Sequence, residues 1–340
     1  MNSIPGSNII RQKAIVETVF ELPLKTILTS PRQDTSENFY VCSHSGEIIK
    51  FNDKGEYSVS LSISDQQPSN IIFINHDLGS NNIESDNKSN SNEKEEETIE
   101  ELYISDIANS AIYEYKSFSE GKVRTIKDYQ GNPLKGPKSL TVNYEDNSIL
   151  FCDAGYFETT SLNNPLGSVY RLDIETKELN PILYNCLAFP SDIYFDNLLQ
   201  VGYIAETFNN RILRMVENPQ GEYHISVFYV FNGRVGPTSI TCDDDGNIYV
   251  SRFDYQSKDG DVDGVISVVT KDGLLAGELI VPKLPEITGM YIPRKDEEDE
   301  NVKNDTVLYF TERSFSGVKR IKINQFIQDM DKALDSMKMF

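Results

Sequence analysis

The chain has 340 residues and a formal net charge of −21, with 39% hydrophobic residues, 18 Tyr, 17 Phe and no Trp. That is apolar material enough for a sizeable core, which excludes global disorder, and negative charge enough to repel phosphate backbones and anionic lipid, which excludes nucleic acid and membrane surfaces as expected partners. No apolar run approaches the roughly 20 residues of a membrane-spanning helix. No secretory leader precedes Arg11, and Cys42, Cys152, Cys186 and Cys242 form no C-x-x-C pair, so a cytoplasmic chain with reduced thiols is expected. The acidity suits solubility, a metal ion, a cationic ligand or a basic protein patch.

In chain order, the first apolar stretch is Lys13-Ala-Ile-Val-Glu-Thr-Val-Phe. A proline followed by a short apolar strand then recurs: Pro23-Leu-Lys-Thr-Ile-Leu, Pro68-Ser-Asn-Ile-Ile-Phe, Pro137-Lys-Ser-Leu-Thr-Val, Pro190-Ser-Asp-Ile-Tyr-Phe, Pro237-Thr-Ser-Ile-Thr-Cys and Pro285-Glu-Ile-Thr-Gly-Met. Successive prolines are 45, 69, 53, 47 and 48 residues apart. A period near 45 to 50 residues is that of a propeller blade, and the 69-residue interval holds an insertion. A second strand follows each proline strand and ends in an aromatic-apolar pair, as in Tyr103-Ile-Ser-Asp106 and Tyr203-Ile-Ala-Glu206. A third follows a turn, as in Gly167-Ser-Val-Tyr-Arg-Leu, and a fourth leads to the next proline, as in Ile225-Ser-Val-Phe-Tyr-Val. Four strands per period predict an all-β, six-bladed β-propeller over residues 10–323. The sixth repeat lacks its fourth strand, so Lys13 to Phe20 is expected to supply it and close the ring.

Two polar tracts, 79–98 and 294–305, interrupt the repeat and are expected to be disordered insertions on one face of the disc. The loops Tyr156 to Leu166 and Asp254 to Asp263 join second and third strands and belong on the opposite, channel-mouth face. Beyond Ile323, the spacing of Phe326, Ile327, Met330, Leu334, Met337 and Phe340 predicts an amphipathic helix over 324–340. Such a helix either packs on the propeller or docks a partner.

Three stretches carry a family resemblance: Leu187-Ala-Phe-Pro-Ser-Asp-Ile with Tyr203-Ile-Ala-Glu-Thr-Phe-Asn-Asn-Arg, Gly236-Pro-Thr-Ser-Ile-Thr-Cys-Asp-Asp-Asp-Gly-Asn-Ile-Tyr-Val-Ser, and Gly264-Val-Ile-Ser-Val-Val-Thr-Lys-Asp-Gly. They resemble the senescence-marker-protein, gluconolactonase and luciferin-regenerating-enzyme family and the related strictosidine-synthase-like propellers, over roughly residues 130 to 323. The resemblance implies a metal-dependent lactonase with a divalent ion at the mouth of the central channel. It places the ligands at a first-blade Glu and at Asn or Asp side chains just after the inner-strand prolines. Here those positions hold Lys138, Ser191 and Thr238, and the first-blade Glu falls near Lys25-Thr26. A hard cation needs anionic or carbonyl oxygens, so the family's chemistry is not expected to survive. The strictosidine-type reaction needs a carboxylate near the sixth inner strand, where the chain offers Thr288 and Glu286.

Other candidates come from the residues themselves. Asp106, Asp153, Glu206, Arg252 and Glu312 end equivalent strands and should ring one face near the channel, either to hold a cation or basic peptide or to bond neighbouring backbone. Asp259, Asp261 and Asp263 alternate around glycines like a calcium loop, though Thr270 stands where an EF-hand needs Glu. His44, His76 and His224 are too scattered to suggest a zinc site or triad. The expected function is a non-catalytic scaffold binding a protein partner or small-molecule ligand on its loop-rich face, with no cofactor beyond a divalent cation such as calcium. The alternative is a divergent metal-dependent lactonase or hydrolase using Asp192 and Glu206 at the channel mouth.

Overall fold

The computed structural model describes residues 9–75, 100–233, 236–253, 262–294 and 305–338. Short β-branched and aromatic runs, separated by Gly, Asn and Asp turns, pair into six four-stranded antiparallel sheets arranged as propeller blades. The inner strands are Leu28–Gln33, Pro68–Asn75, Pro137–Asn143, Pro190–Asp196, Gly236–Cys242 and Ile287–Tyr291. Burial falls from the channel to the rim. In blade three the second strand, Ser148–Asp153, is buried at every position, while the outermost, Leu179–Leu187, alternates and is largely half-exposed. The core lies between blades rather than within them. Ile72, Ile74 and Tyr103 of blade two meet Leu140, Val142 and Phe151 of blade three in one cluster.

The proline is the first residue of the inner strand in blades two to four and the second, after Gly236, in blade five. Leu28 starts the strand in blade one and Ile287 in blade six, after Pro23 and Pro285. A proline has no N–H for a ladder, so it fits the first residue of a strand or the approach to it equally well. Pro23 lies in the approach, between the closing strand and blade one.

Closure is double. Val16–Glu21 pairs antiparallel with Phe315–Lys322, from Val16↔Ile321 to Glu21↔Gly317, and completes blade six. The residues just before it, Ile10–Lys13, run parallel to Leu275–Val281 and add a fifth strand to blade five. The expected Lys13–Phe20 strand is therefore split. The chain steps between blades at Ala14, which is buried and donates its N–H to Ile280 O at 2.8 Å, and at exposed Ile15.

The C-terminal helix, Asn324–Lys338, packs on this seam. Phe326 and Met330 are buried in the cluster that spans blades five and six, with Ile327 and Leu334 against it. Gly277 permits the contact, since a Cβ there would lie 2.8 Å from the Phe326 ring. Side chains from Met337 onward lie outside the described residues. So does all of 79–98, but the ends of 294–305 are anchored: Arg294 pairs with Asp196 at 2.8 Å and Asp305 with Lys322 at 2.6 Å.

Candidate functional site at the channel mouth

Each inner strand from blade two to blade six carries a β-bulge near its start, after the first paired residue or, in blade five, after the second, Pro237. The extra residue re-aims side chains that strict alternation would send to opposite faces. Two successive side chains per blade therefore meet at the channel, and they build two rings.

The upper ring is Thr29, Ser69, Lys138, Ser191, Thr238 and Thr288, all lining one cavity of about 580 Å³. Four of its hydroxyls reach a carbonyl at the start of the next blade's inner strand. Ser69 donates to Lys138 O at 3.0 Å, Ser191 to Pro237 O at 3.3 Å, Thr238 to Ile287 O at 3.2 Å and Thr288 to Leu28 O at 2.7 Å. The last of these joins blade six to blade one. Two members break the pattern: Thr29 Oγ1 is buried without a partner, and the Lys138 ammonium makes no hydrogen bond or ion pair among the described residues.

The lower ring, Ser30, Asn70, Ser139, Asp192 and Ser239, forms a polar floor. Asp192 is its hub. Oδ1 accepts from Ser139 Oγ and from Ile193 N at 3.0 Å, and Oδ2 accepts from Ser239 Oγ at 2.7 Å and Ile240 N at 2.8 Å. Asn70 Nδ2 donates to Ser30 Oγ at 3.2 Å. Gly289 completes the ring because a Cβ there would lie 2.3 Å from Ser30 N. This floor separates the mouth cavity from a smaller one of about 310 Å³ at the other end of the channel.

The mouth cavity has one aromatic side. Phe157, from the Tyr156 to Leu166 loop, meets Phe189 at 5.3 Å between ring centroids, and Phe189 stacks on Phe208 at 5.1 Å. Phe189 has φ 60°, the left-handed region that bulky residues rarely adopt. It is held there by Thr207 N on Phe189 O at 3.1 Å and Phe208 N on Ala188 O at 3.2 Å. Lys138 Nζ lies 5.8 Å from the centre of the Phe189 ring. Burial pulls the Lys138 ammonium below its ordinary pKa, against the opposing pull of Asp192 and Glu286. The opposite wall brings His44, Glu286 and Arg313 to the same cavity. Arg313 Nη1 donates to Glu286 Oε1 at 2.9 Å. His44 is lowered by burial, then by Lys138 and Arg313.

Of the residues singled out in the sequence, Lys138, Ser191, Thr238, Asp192, Thr288 and Glu286 share this cavity. The strand-ending acids do not line it. Asp106, Asp153, Glu206 and Glu312 each accept the N–H of a residue just ahead of their own blade's inner strand: Gln67 at 3.3 Å, Lys135 at 2.8 Å, Ala188 at 2.7 Å and Glu286 at 3.3 Å. They fasten loops within blades, rather than bonding neighbouring blades. Glu206 is further tied to Arg211 at 2.5 Å. Arg252 pairs with Glu278 at 2.6 Å. Asp263 accepts from Lys283 N at 2.9 Å, while Asp259 and Asp261 lie outside the described residues.

His44, set aside in the sequence as scattered, and Arg313, not singled out there, both belong to the site. Each directly follows the strand-ending position, at Ser43 and Glu312, as Ile107 follows Asp106, and all three line the cavity. The blade-one position equivalent to Ser69 is Thr29, not Lys25 or Thr26, since the strand starts later than its proline.

The mouth positions do not fit a divalent ion. One is itself a cation, and four hydroxyls spend their hydrogens on carbonyls. Among the described residues, no three His, Cys, Asp or Glu side chains are grouped to hold a metal. A larger rim groove of about 1040 Å³ lies between blades one and six, but its charges neutralise one another, as in Arg320 with Asp53 at 3.5 Å. No helix of the described residues is long and apolar enough to cross a membrane.

No family model matches the chain. Lactonase drp35 of Staphylococcus aureus (strain MRSA252) is 27% identical over 157 residues, 44% of this chain and 46% of that protein. Lactonase drp35 of Staphylococcus epidermidis (strain ATCC 12228) is 27% identical over 151 residues, 42% of this chain and 44% of that protein. The match thus spans less than half the length of these curated relatives. Among solved structures, a protein assigned as a gluconolactonase superposes with TM-score 0.63 at 15% identity, covering 93% of this chain and 94% of that one. A calcium-binding protein, regucalcin, from Agrobacterium tumefaciens gives 0.63 at 13%, covering 92% and 95%. A luciferin-regenerating enzyme gives 0.62 at 15%, covering 91% and 95%. Identities this low carry the fold alone: the chain has the six-bladed propeller fold of these structures and, over less than half of its length, is similar in sequence to the lactonases.

Proposed function

We propose that the chain is a small-molecule-binding propeller that keeps the family's channel-mouth cavity without its metal chemistry. The observation that carries this is Lys138. It places an unpaired ammonium at a position the family gives to a metal ligand, in a cavity of about 580 Å³ that suits a small organic molecule. A cation fixed there recognises a carbonyl or anionic oxygen, and the Phe157 and Phe189 side, backed by Phe208, receives an apolar body. The loop carrying Tyr156, Phe157 and Leu162 is the lip over which a ligand, or a protein partner presenting one, would enter.

The match to lactonases favours a second reading, a divergent lactonase with Asp192 and Glu206 as its acid-base pair. Against it, both Asp192 oxygens are filled by four donors and Glu206 is bound to Arg211 away from the cavity. Metal analysis of the purified chain with a lactone and ester panel separates the readings. The binding reading expects no stoichiometric metal and no turnover. Bound calcium, zinc or manganese with turnover lost in Asp192→Ala would establish the lactonase instead.

A further inference from the structure

Within the upper ring, Lys138 alone carries a strong nucleophile, and among the described residues no hydrogen bond or ion pair ties it down; the Phe189 ring lies 5.8 Å from its ammonium. The hydroxyls of Ser69, Ser191, Thr238 and Thr288 are committed to carbonyls. A structural lysine is normally ion-paired or extended into water. This one is held inside a cavity whose other wall carries two proton-transfer groups, His44 and Glu286. The ring beside it, Phe189, is kept in a strained backbone conformation, and such strain clusters at ligand sites. Thr29 Oγ1, only 7% exposed and lining the same cavity, is a second polar atom without a partner.

We propose that Lys138 captures carbonyl compounds, condensing with a small aldehyde or ketone that bears an apolar or aromatic body to give an imine. The inference rests on reading the channel mouth as a small-molecule pocket. The neutral amine attacks the carbonyl carbon: the C–N bond forms and the C=O π pair moves to oxygen. The proton released from nitrogen passes through His44 or Glu286 to that oxygen. The resulting hydroxyl then leaves as water with a proton supplied by His44 or Glu286, the nitrogen lone pair closes the C=N bond, and the remaining N–H proton returns to that group. Amine plus carbonyl gives imine plus water, with no change of oxidation state. Burial favours the neutral amine that begins the sequence.

The test treats the purified chain at neutral pH with benzaldehyde or phenylpyruvate and sodium cyanoborohydride, then maps adducts by peptide mass spectrometry. The expected result is one dominant adduct at Lys138 and its loss in Lys138→Arg, which keeps the charge but forms no imine. Thermal melting of that variant distinguishes lost chemistry from lost fold. Phe157→Ala, on a surface loop, should slow adduct formation while leaving the amine in place, and serves if Lys138→Arg does not fold. A parallel calorimetric titration with benzoate reads the pocket alone. Benzoate binding with adducts spread evenly over surface lysines overturns the imine and spares the pocket. Failure of benzoate, benzaldehyde and phenylpyruvate alike to bind overturns both.

Discussion

Blade three and its neighbours solve one local problem in opposite ways. Where the inner strand bulges, blades two, four, five and six place a Ser or Thr whose hydroxyl grips the next blade's carbonyl. Blade three places Lys138, which reaches across no seam and faces the cavity instead. The repeated positions are fasteners, and the exception is available for chemistry. A propeller needs enough fasteners to stay closed, not one at every seam, so an interruption such as Lys138 is where a ligand site arises at little structural cost.

The largest way to test that comparison is to remove the backbone closure and leave the hydroxyls. Deleting residues 1–20 strips Ile10–Lys13 and nearly all of Val16–Glu21 from two sheet edges. We expect a loss of several kcal/mol from the roughly 5–15 kcal/mol that holds a domain together, read as a large drop in melting temperature. Unchanged melting would mean the side-chain fasteners suffice. Next is Asp192→Ala, which strands two hydroxyls and two backbone N–H groups on the floor. Unpaired buried donors cost about 1–3 kcal/mol each, so a loss of roughly 3 kcal/mol or more is expected in urea unfolding. Third is a matched pair. Thr238→Val should cost about 1–2 kcal/mol by opening one seam. Lys138→Met should cost nothing or stabilise by up to about 1 kcal/mol, because a half-buried charge with no ion-pair partner among the described residues is removed. Equal losses in both would erase the distinction between fastener and site.

The smallest effect concerns pH. Burial pushes the Asp153 carboxyl from 3.8 up to about 6 in the folded chain. The protonated form is therefore favoured by folding. Its stabilising contribution is fully present below about pH 4 and is lost as pH rises through about 6. Asp153→Asn should flatten that decline in a melting series from pH 4 to 7. An identical slope in both chains would show that Asp153 does not titrate in this window.

The blade repeat was legible because propeller strands alternate, end in turns and recur. The bulge was not, because one inserted residue leaves no mark on an apolar-polar pattern, and that bulge decides which side chains share the cavity. Pro23 misled the reading of blade one because proline marks the approach to a strand as readily as its first residue. The acids of Asp106, Asp153, Glu206 and Glu312 looked like a functional ring since the sequence gives their shared position but not their direction. Each turns back to its own blade, and in blades two and six it is the next residue, Ile107 or Arg313, that faces the ligand space. The unexpected fifth strand of blade five came from four residues, Ile10–Lys13, whose pattern carries no information about a parallel partner far along the chain.

That strand also sets a timetable. Ile10 pairs with Gly277 and Val16 with Ile321, so the earliest-made strands can dock only after the last blades exist. At roughly 5–20 residues per second, the interval is on the order of 15–60 s of synthesis. Throughout it the two N-terminal strands are unpaired and open to other chains, and at its end so are the edges of blades five and six until those strands dock. Closure between such distant segments is also slow for entropic reasons. The rate at which this protein reaches its native state in a cell is thus governed by its N-terminal strands, and so is its risk of aggregating on the way.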